Sequence, residues 1–260
     1  MPRAPRWSGR LVAGLAVAAL LTATSWAATS ATGPSAVKAA LSRMAPGAPV
    51  ADIAKAPLPG FYQALVGGRM VYVSADGKWV MDGHLYNADK QVDVSGAAMQ
   101  KVRRQVLAKV PGSDYITFAP KDPKYSVTVF TDVDCAYCRV MHQHMQQYNA
   151  AGIAVHYLAW PRTGVKAYPS GRPTASYLKA VSVWCSKTPQ VALTEAMQGK
   201  AVAGATCTNP VKNEFDLGRR IGVDGTPTVI APDGTVLGGY VPPMQLLLEL
   251  QKLKASAHAG

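Results

Sequence analysis

Residues 126–138 read Ser-Val-Thr-Val-Phe-Thr-Asp-Val-Asp-Cys-Ala-Tyr-Cys. A β-type apolar run, Ser126 to Phe130, ends in a Cys-x-x-Cys with helix-forming residues after it. That order predicts a strand, then two thiols one turn apart at a helix N-terminus. By itself a Cys-x-x-Cys serves zinc sites, structural disulfides and redox chemistry alike. A zinc ribbon needs a second close pair, whereas the other two cysteines, Cys185 and Cys207, stand far apart in the sequence. His142 and His144 fall on the helix after the motif, where exposed or partly buried polar roles are commoner than ligation. No metal and no cofactor are expected.

At a helix start, the Cys135 sulfur lies near unpaired backbone N–H groups and the positive end of the helix dipole. Such a placement favours an anion by about 0.3–2 kcal/mol, lowering the thiol pKa from its usual value near 8.5. Asp132 and Asp134 are expected to oppose this through like charge. Cys138, one turn on and on the inner side, is expected to be the more buried and slower sulfur. It would act as the resolving thiol.

The chain begins with Arg3, Arg6 and Arg10, then an apolar run from Leu11 to Thr22, then Ser25-Trp26-Ala27 with small residues where a signal peptidase reads. Residues 1–27 are expected to be a cleaved secretory signal. An uncleaved anchor is the competing reading, disfavoured because the run is shorter than the ~20 residues a span needs. Four cysteines in an exported chain favour disulfide chemistry. The formal charge of +12 falls to +9 once a leader with three Arg and no acid is removed. Lys and Arg are dispersed, with no run beyond Arg103-Arg104 or Arg219-Arg220, so no nucleic-acid partner is expected.

Pro34 to Met44 reads as a short helix and Ala45 to Gly60, with four prolines, as an irregular connection. Gly68–Ser74 and Lys78–Tyr86 read as strands joined across Ala75-Asp76-Gly77. A β unit this small has a marginal core, and self-association is a cheap way to cover it. Ser95 to Lys109 carries Met99, Val102, Val106 and Val110 on a narrow stripe, which suits a helix connecting two domains. Pro111-Gly112 ends it.

Beyond Asp114 strands and helices alternate. Tyr115–Phe118 reads as an edge strand, Ser126–Phe130 as a strand, Cys135 to about Ala150 as a helix and Ile153–Ala159 as a strand. A β-α-β order implies a parallel pair. Arg172–Ala203 is helical in pattern, Asn209–Ile221 forms a further helix, Gly225–Ala231 and Thr235–Tyr240 form a hairpin, and Pro243–Lys254 forms a last helix. Trp79, Trp160 and Trp184 are expected in core or interface packing, and Met141 and Met145 in the core.

Phe130–Cys138, Gly225-Thr226-Pro227, and the β-rich unit with its linker helix together resemble the DsbC/DsbG family of periplasmic disulfide isomerases. Tyr148-Asn149-Ala150, Tyr157–Arg162, Trp184-Cys185 with Cys207, and Gly239–Pro243 extend the resemblance over nearly the whole chain after the leader. Ala136 stands where the isomerase branch typically has Gly and the DsbG branch Pro. Arg139 replaces a His often found after the second Cys.

The resemblance implies an α+β or α/β architecture: an N-terminal segment and small β-rich dimerisation module over 28–94, a linker helix over 95–112, and a thioredoxin-fold catalytic domain over 113–260 with a helical insertion at about 162–205. It implies a periplasmic homodimer that isomerises or reduces non-native disulfides in misoxidised exported proteins. Cys135 would attack, Cys138 would resolve, and a membrane thiol reductase of the DsbD type would supply electrons. Thr226-Pro227 would form a cis-proline loop whose Thr226 backbone pairs with substrate. Cys185–Cys207 would be a structural disulfide, worth about 3 kcal/mol for a loop of that length in the chain-entropy model. Tyr137, between the thiols, is a further candidate for substrate contact. The alternatives are a DsbG-like chaperone or sulfenic-acid reductase, a monomeric thiol oxidase, and a redox-independent holdase.

Overall fold

The computed structural model describes residues 32–259. The expected signal peptide, residues 1–27, and the start of the N-terminal segment lie outside them. Among the described residues no helix is long and apolar enough to cross a membrane.

The first helix, α1 (Pro34–Met44), starts with proline at its first position, where the missing N–H costs nothing. It is followed by β1 (Val50–Lys55), β2 (Phe61–Val66), β3 (Arg69–Ser74) and β4 (Val80–Asp82). They form an antiparallel sheet in the order β1-β2-β3-β4. The irregular connection expected over Ala45–Gly60 is corrected here, because Val50–Lys55 is a strand, and Phe61–Val66 is a strand the sequence reading left unassigned. In β1 the alternation is disguised by a register shift between Ala51 and Ala54, where Asp52 has φ 53°. An extra residue in a bulge breaks the period of two on which strand recognition depends.

The sheet is covered on both faces from within the chain. Alternate β3 residues point to opposite sides: Val71 and Val73 pack on Val37, Ala40 and Leu41 of α1. Met70 and Tyr72 pack on Met99 and Val102 of the following helix. The faces therefore need no partner, and the β4 edge stays open. Trp79, expected in packing, is 70% exposed beside that edge, and Met81 and Tyr86 are exposed as well.

A short ribbon of β5 (Tyr86–Asn87) and β6 (Val92–Asp93) leads into α2 (Val94–Leu107), capped by Asp93, whose carboxylate accepts from the Gly96 N–H at 2.8 Å. Its apolar stripe does what a narrow stripe suggests. Met99 and Val102 enter the first core, while Val106, Leu107 and Val110 pack on Phe130, Leu158 and Ile221 of the second.

The second sheet takes β7 (Ile116–Phe118), β8 (Tyr125–Thr131), β9 (Ile153–Ala159), β10 (Thr228–Ile230) and β11 (Val236–Gly238) in the order β11-β10-β8-β9-β7. Only β8 and β9 run parallel, from Tyr125 opposite Ile153 to Thr131 opposite Ala159. The crossover is α3 (Ala136–Gln143) and α4 (Met145–Ala150). One continuous helix was expected there. The break falls at His144 (φ −91°, ψ 11°), whose Nδ1 is 2.8 Å from the Val140 carbonyl oxygen and satisfies a group the helix would otherwise use.

Between β9 and β10 lie α5 (Ala175–Trp184), α6 (Pro189–Met197) and α7 (Val211–Arg220). The helical pattern over Arg172–Ala203 resolves into two helices, the second ending at Met197. The closing helix, α8 (Pro243–Ala259), packs Leu246 and Leu250 into the main core with Met141, Met145 and Tyr148. Arg103 of α2 donates to the Ile221 carbonyl at 3.0 Å, and Gln100 donates to Asp233 and Thr235 of the β10–β11 turn at 2.8 Å each. These contacts fix α2 to the second sheet.

Candidate active site

Strand β8 delivers the loop Asp132–Asp134 to the start of α3, and Cys135 is the N-cap residue of that helix, with β-type dihedrals. The expected placement of both thiols at a helix N-terminus is what the backbone shows. Exposure hardly separates the sulfurs, at 1% for Cys135 and 0% for Cys138. Electrostatics does. The Cys135 thiol is lowered to about 4, chiefly by hydrogen bonding from the Cys138 side chain, against the opposing effect of burial, with help from Thr226, the Cys138 N–H and Arg162. Cys138 is pushed strongly up, first by burial and then by its bond to Cys135. One sulfur holds the charge and its neighbour supplies the proton that stabilises it.

The Thr226 carbonyl oxygen lies 3.1 Å from Cys135 Sγ, where it accepts from the thiol. A carbonyl there disfavours the thiolate, yet four donors converge on the same sulfur and outweigh it. Thr226 Oγ1 is buried with no partner of its own, so its hydroxyl is free to turn to the sulfur on ionisation. Thr226-Pro227 is a cis peptide. The fold thus brings together Cys135, Cys138 and Thr226, which lie 91 residues apart at the widest hydrogen-bonded pair.

Tyr137 projects from the first turn of α3 and is 66% exposed. Cys185 and Cys207 are joined to each other, with Cα atoms 5.6 Å apart, and link the end of α5 to the segment before α7. Cys135 and Cys138 are unbonded.

Asp132 was expected to oppose the thiolate, but its carboxylate faces other partners. Oδ1 accepts from the Asp134 N–H at 2.8 Å, while Oδ2 accepts from the Arg162 N–H at 2.7 Å and from the Ser176 hydroxyl at 2.8 Å. Asp134 is likewise engaged, with Lys179 Nζ at 2.7 Å and Arg139 Nη2 at 3.7 Å. Each acid is compensated by donors or cations of its own, so the like-charge penalty at Cys135 is small.

Sequence reasoning gave Arg162, quoted only as part of the resemblance, and Ser176 no role beside the thiols. Both lie beyond β9, where spacing carries no sign that the chain returns to the thiols. His142, expected in an exposed or partly buried polar role, is buried instead. It stacks edge-on against Phe118 with centroids 4.9 Å apart, its Nε2 lies 3.0 Å from Thr194 Oγ1, and burial lowers its pKa to about 4. Among the described residues no His, Cys, Asp and Glu gather in a metal-binding cluster.

Comparison with known proteins agrees with this geometry. Residues 28–96 match the family model of the disulfide bond isomerase protein N-terminal domain, and residues 113–254 match that of the thioredoxin-like domain. The thiol:disulfide interchange protein DsbC of Escherichia coli is 36% identical over 198 residues, covering 75% of this chain and 78% of its own. DsbC of Dickeya dadantii is 34% identical over 228 residues, covering 86% and 90%. DsbC of Haemophilus influenzae is 36% identical over 202 residues, covering 77% and 83%. With an N-terminal sheet, a connecting helix, a thioredoxin-like sheet and a paired Cys135 and Cys138 at a helix start, the chain belongs to the DsbC family of thiol:disulfide interchange proteins.

Proposed function

We propose that this chain is an exported, periplasmic disulfide isomerase and reductase acting on misoxidised proteins through Cys135-Ala136-Tyr137-Cys138, with Cys135 as the attacking sulfur. The opposite electrostatic treatment of two adjacent thiols carries the reading. A thiolate attacks a disulfide, and a thiol does not.

Attack by the Cys135 thiolate on a non-native disulfide forms a mixed disulfide and releases one substrate sulfur as thiolate. In one exit, another substrate thiolate attacks the mixed disulfide, forms a new substrate disulfide and returns Cys135 as thiolate. In the other, Cys138 attacks Cys135, leaving an enzyme disulfide and a fully reduced substrate. Cys138 is held protonated partly by its bond to Cys135 and by that sulfur's charge. Both vanish in the mixed disulfide, so the resolving thiol becomes easier to ionise only once it is needed. Two electrons from a membrane dithiol reductase of the DsbD type then regenerate the pair.

Thr226-Pro227 offers the backbone beside the sulfur for β-type pairing with an extended substrate segment, and Tyr137 offers an exposed aromatic surface. Cys185–Cys207 staples the insertion and takes no part in the chemistry. The homodimer forms through the N-terminal sheet, whose open β4 edge carries the exposed Trp79 and Met81. Refolding of scrambled ribonuclease tests the reading. Wild type is expected to restore ribonuclease activity and Cys135→Ala is not; recovery with the mutant would remove Cys135 from the nucleophile's role.

A further inference from the structure

Beside the thiol loop lies a cavity of about 390 Å³ that the mechanism above leaves unused. Val133 and Asp134 form its wall toward the thiols, Arg139 comes from α3, Leu178 and Lys179 come from α5, and Lys200 comes from the segment after α6. Three cations and one acid therefore line it. The Asp134 carboxylate sits between Lys179 and Arg139, and Arg139 is itself aimed by its Nε bond to the Val133 carbonyl at 2.9 Å. Lys200 lies 4.0 Å from Glu195. All of these charged side chains remain between about a third and two thirds exposed, so the cavity is open to a ligand rather than a sealed internal network.

The position matters as much as the charge. Asp134 is adjacent to Cys135, and the Arg139 N–H bonds the Cys135 carbonyl at 3.1 Å. The wall of the cavity formed by Asp134 and Arg139 is thus continuous with the residue to which a substrate polypeptide would be joined through sulfur. The cavity also has an apolar side, where Leu178 is half exposed. A carboxylate on a short aliphatic stem matches both features. Asp134 already shows how such a group sits between Lys179 and Arg139.

We propose that this cavity is a subsite for an acidic side chain of the substrate polypeptide, an Asp or Glu within about three residues of the cysteine that Cys135 attacks. The proposal rests on Cys135 being the attacking sulfur. It assigns Lys179, Lys200 and Arg139 a part in choosing among substrate disulfides.

The test uses reduced full-length protein and two disulfide-bonded peptides, identical except for Glu or Gln two residues from the cysteine, and compares second-order reduction rates at low ionic strength. Wild type is expected to favour the Glu peptide by roughly two- to fivefold, the range for an exposed ion pair, and to lose the preference as salt screens it. Lys179→Gln/Lys200→Gln is expected to bring the ratio close to one. Lys38→Gln/Lys55→Gln removes the same formal charge from the N-terminal sheet and is expected to keep the wild-type ratio. Equal rates in the wild type would overturn the subsite. So would a preference that survives in the Lys179/Lys200 variant, which would trace it to the whole-molecule charge of +12. If neither peptide reacts, the assignment of Cys135 falls and the subsite with it.

Discussion

The carboxylate of Asp132, on the loop that carries the thiols, accepts a 2.8 Å hydrogen bond from the hydroxyl of Ser176, in the first turn of α5. Through the same oxygen it holds the Arg162 N–H, and through the other the Asp134 N–H. One buried side chain thus joins the active-site loop, the segment just after β9 and α5. Replacing Asp132 by Ala leaves three donors without an acceptor, each a desolvated group worth about 1–3 kcal/mol. Asp132→Ala is expected to lose several kcal/mol in urea unfolding, and Ser176→Ala only about 1 kcal/mol. Equal losses would show that Ser176 alone carries the clamp.

Thiolate formation at Cys135 should govern its chemistry across the acid range. With the thiol lowered to about 4, iodoacetamide trapping of Cys135 is expected to reach half its plateau near pH 4 and to stay flat to neutrality. Cys138→Ala removes the first of the donors and should move the midpoint upward. The stability consequence has a definite sign. A folded-state pKa below the unfolded value near 8.5 stabilises the reduced fold fully above pH 8.5, and that contribution disappears as pH falls toward 4. The melting-temperature difference between reduced wild type and Cys135→Ala should therefore shift in favour of wild type between pH 4 and 8.5.

Glu214 makes the opposite contribution. Its Oε2 accepts the Ala159 N–H at 2.5 Å, on the side of β9 that β7 leaves uncovered beyond Tyr157, while Oε1 has no partner among the described residues. Burial raises this carboxyl to about 8. Between about pH 4.3 and 8 the folded state holds a proton that the unfolded state has released, so stability falls with rising pH. Glu214→Gln keeps the acceptor and removes the titration. Its stability relative to wild type is expected to increase from pH 4.5 to 8 in denaturant titrations; a pH-independent difference would contradict the assignment.

Gly68 and Gly222 meet backbone to backbone where the β2–β3 turn touches the end of α7. A Cβ on Gly68 would lie 2.4 Å from the Arg219 carbonyl oxygen, and Gly68 has φ +85°. No L side chain suits either condition. Gly68→Ala is expected to destabilise the protein by about 1–3 kcal/mol. It should also raise the rate of limited proteolysis between the N-terminal sheet and the second sheet, because the turn must move off α7. An unchanged cleavage rate would mean that the α2 contacts alone hold the two together.

The open β4 edge gives a test of the proposed assembly. Trp79→Lys/Met81→Lys places like charges along that edge in both copies, and sedimentation is expected to show a smaller species than wild type at the same concentration. Retention of the wild-type sedimentation coefficient would move the proposed interface elsewhere on the chain.

Several elements were legible because local pattern and tertiary environment agree. Ser126–Phe130 followed by Cys135 and Cys138 dictated a strand and a helix start, and the stripe from Met99 to Val110 dictated a helix with a foot in each core. Val50–Lys55 was hidden by its bulge, and the break at His144 has no proline or glycine to announce it. For Trp79 the sequence left core and interface packing open, because an aromatic residue in a β unit signals packing either against its own core or at an open edge, and its 70% exposure removes the core.

By itself the sequence determined where two sulfurs stand: the Cys-x-x-Cys spacing sets them at one helix end, since a helix repeats every 3.6 residues whatever surrounds it. How strongly Cys135 holds its charge was decided only by the tertiary structure. The donors that lower Cys135 include Thr226 and Arg162, distant in sequence, and the compensation of Asp132 and Asp134 comes from Arg162, Ser176, Lys179 and Arg139. Local spacing fixes positions along a helix. Electrostatics depends on distances through space, and those exist only once the chain has folded back on itself.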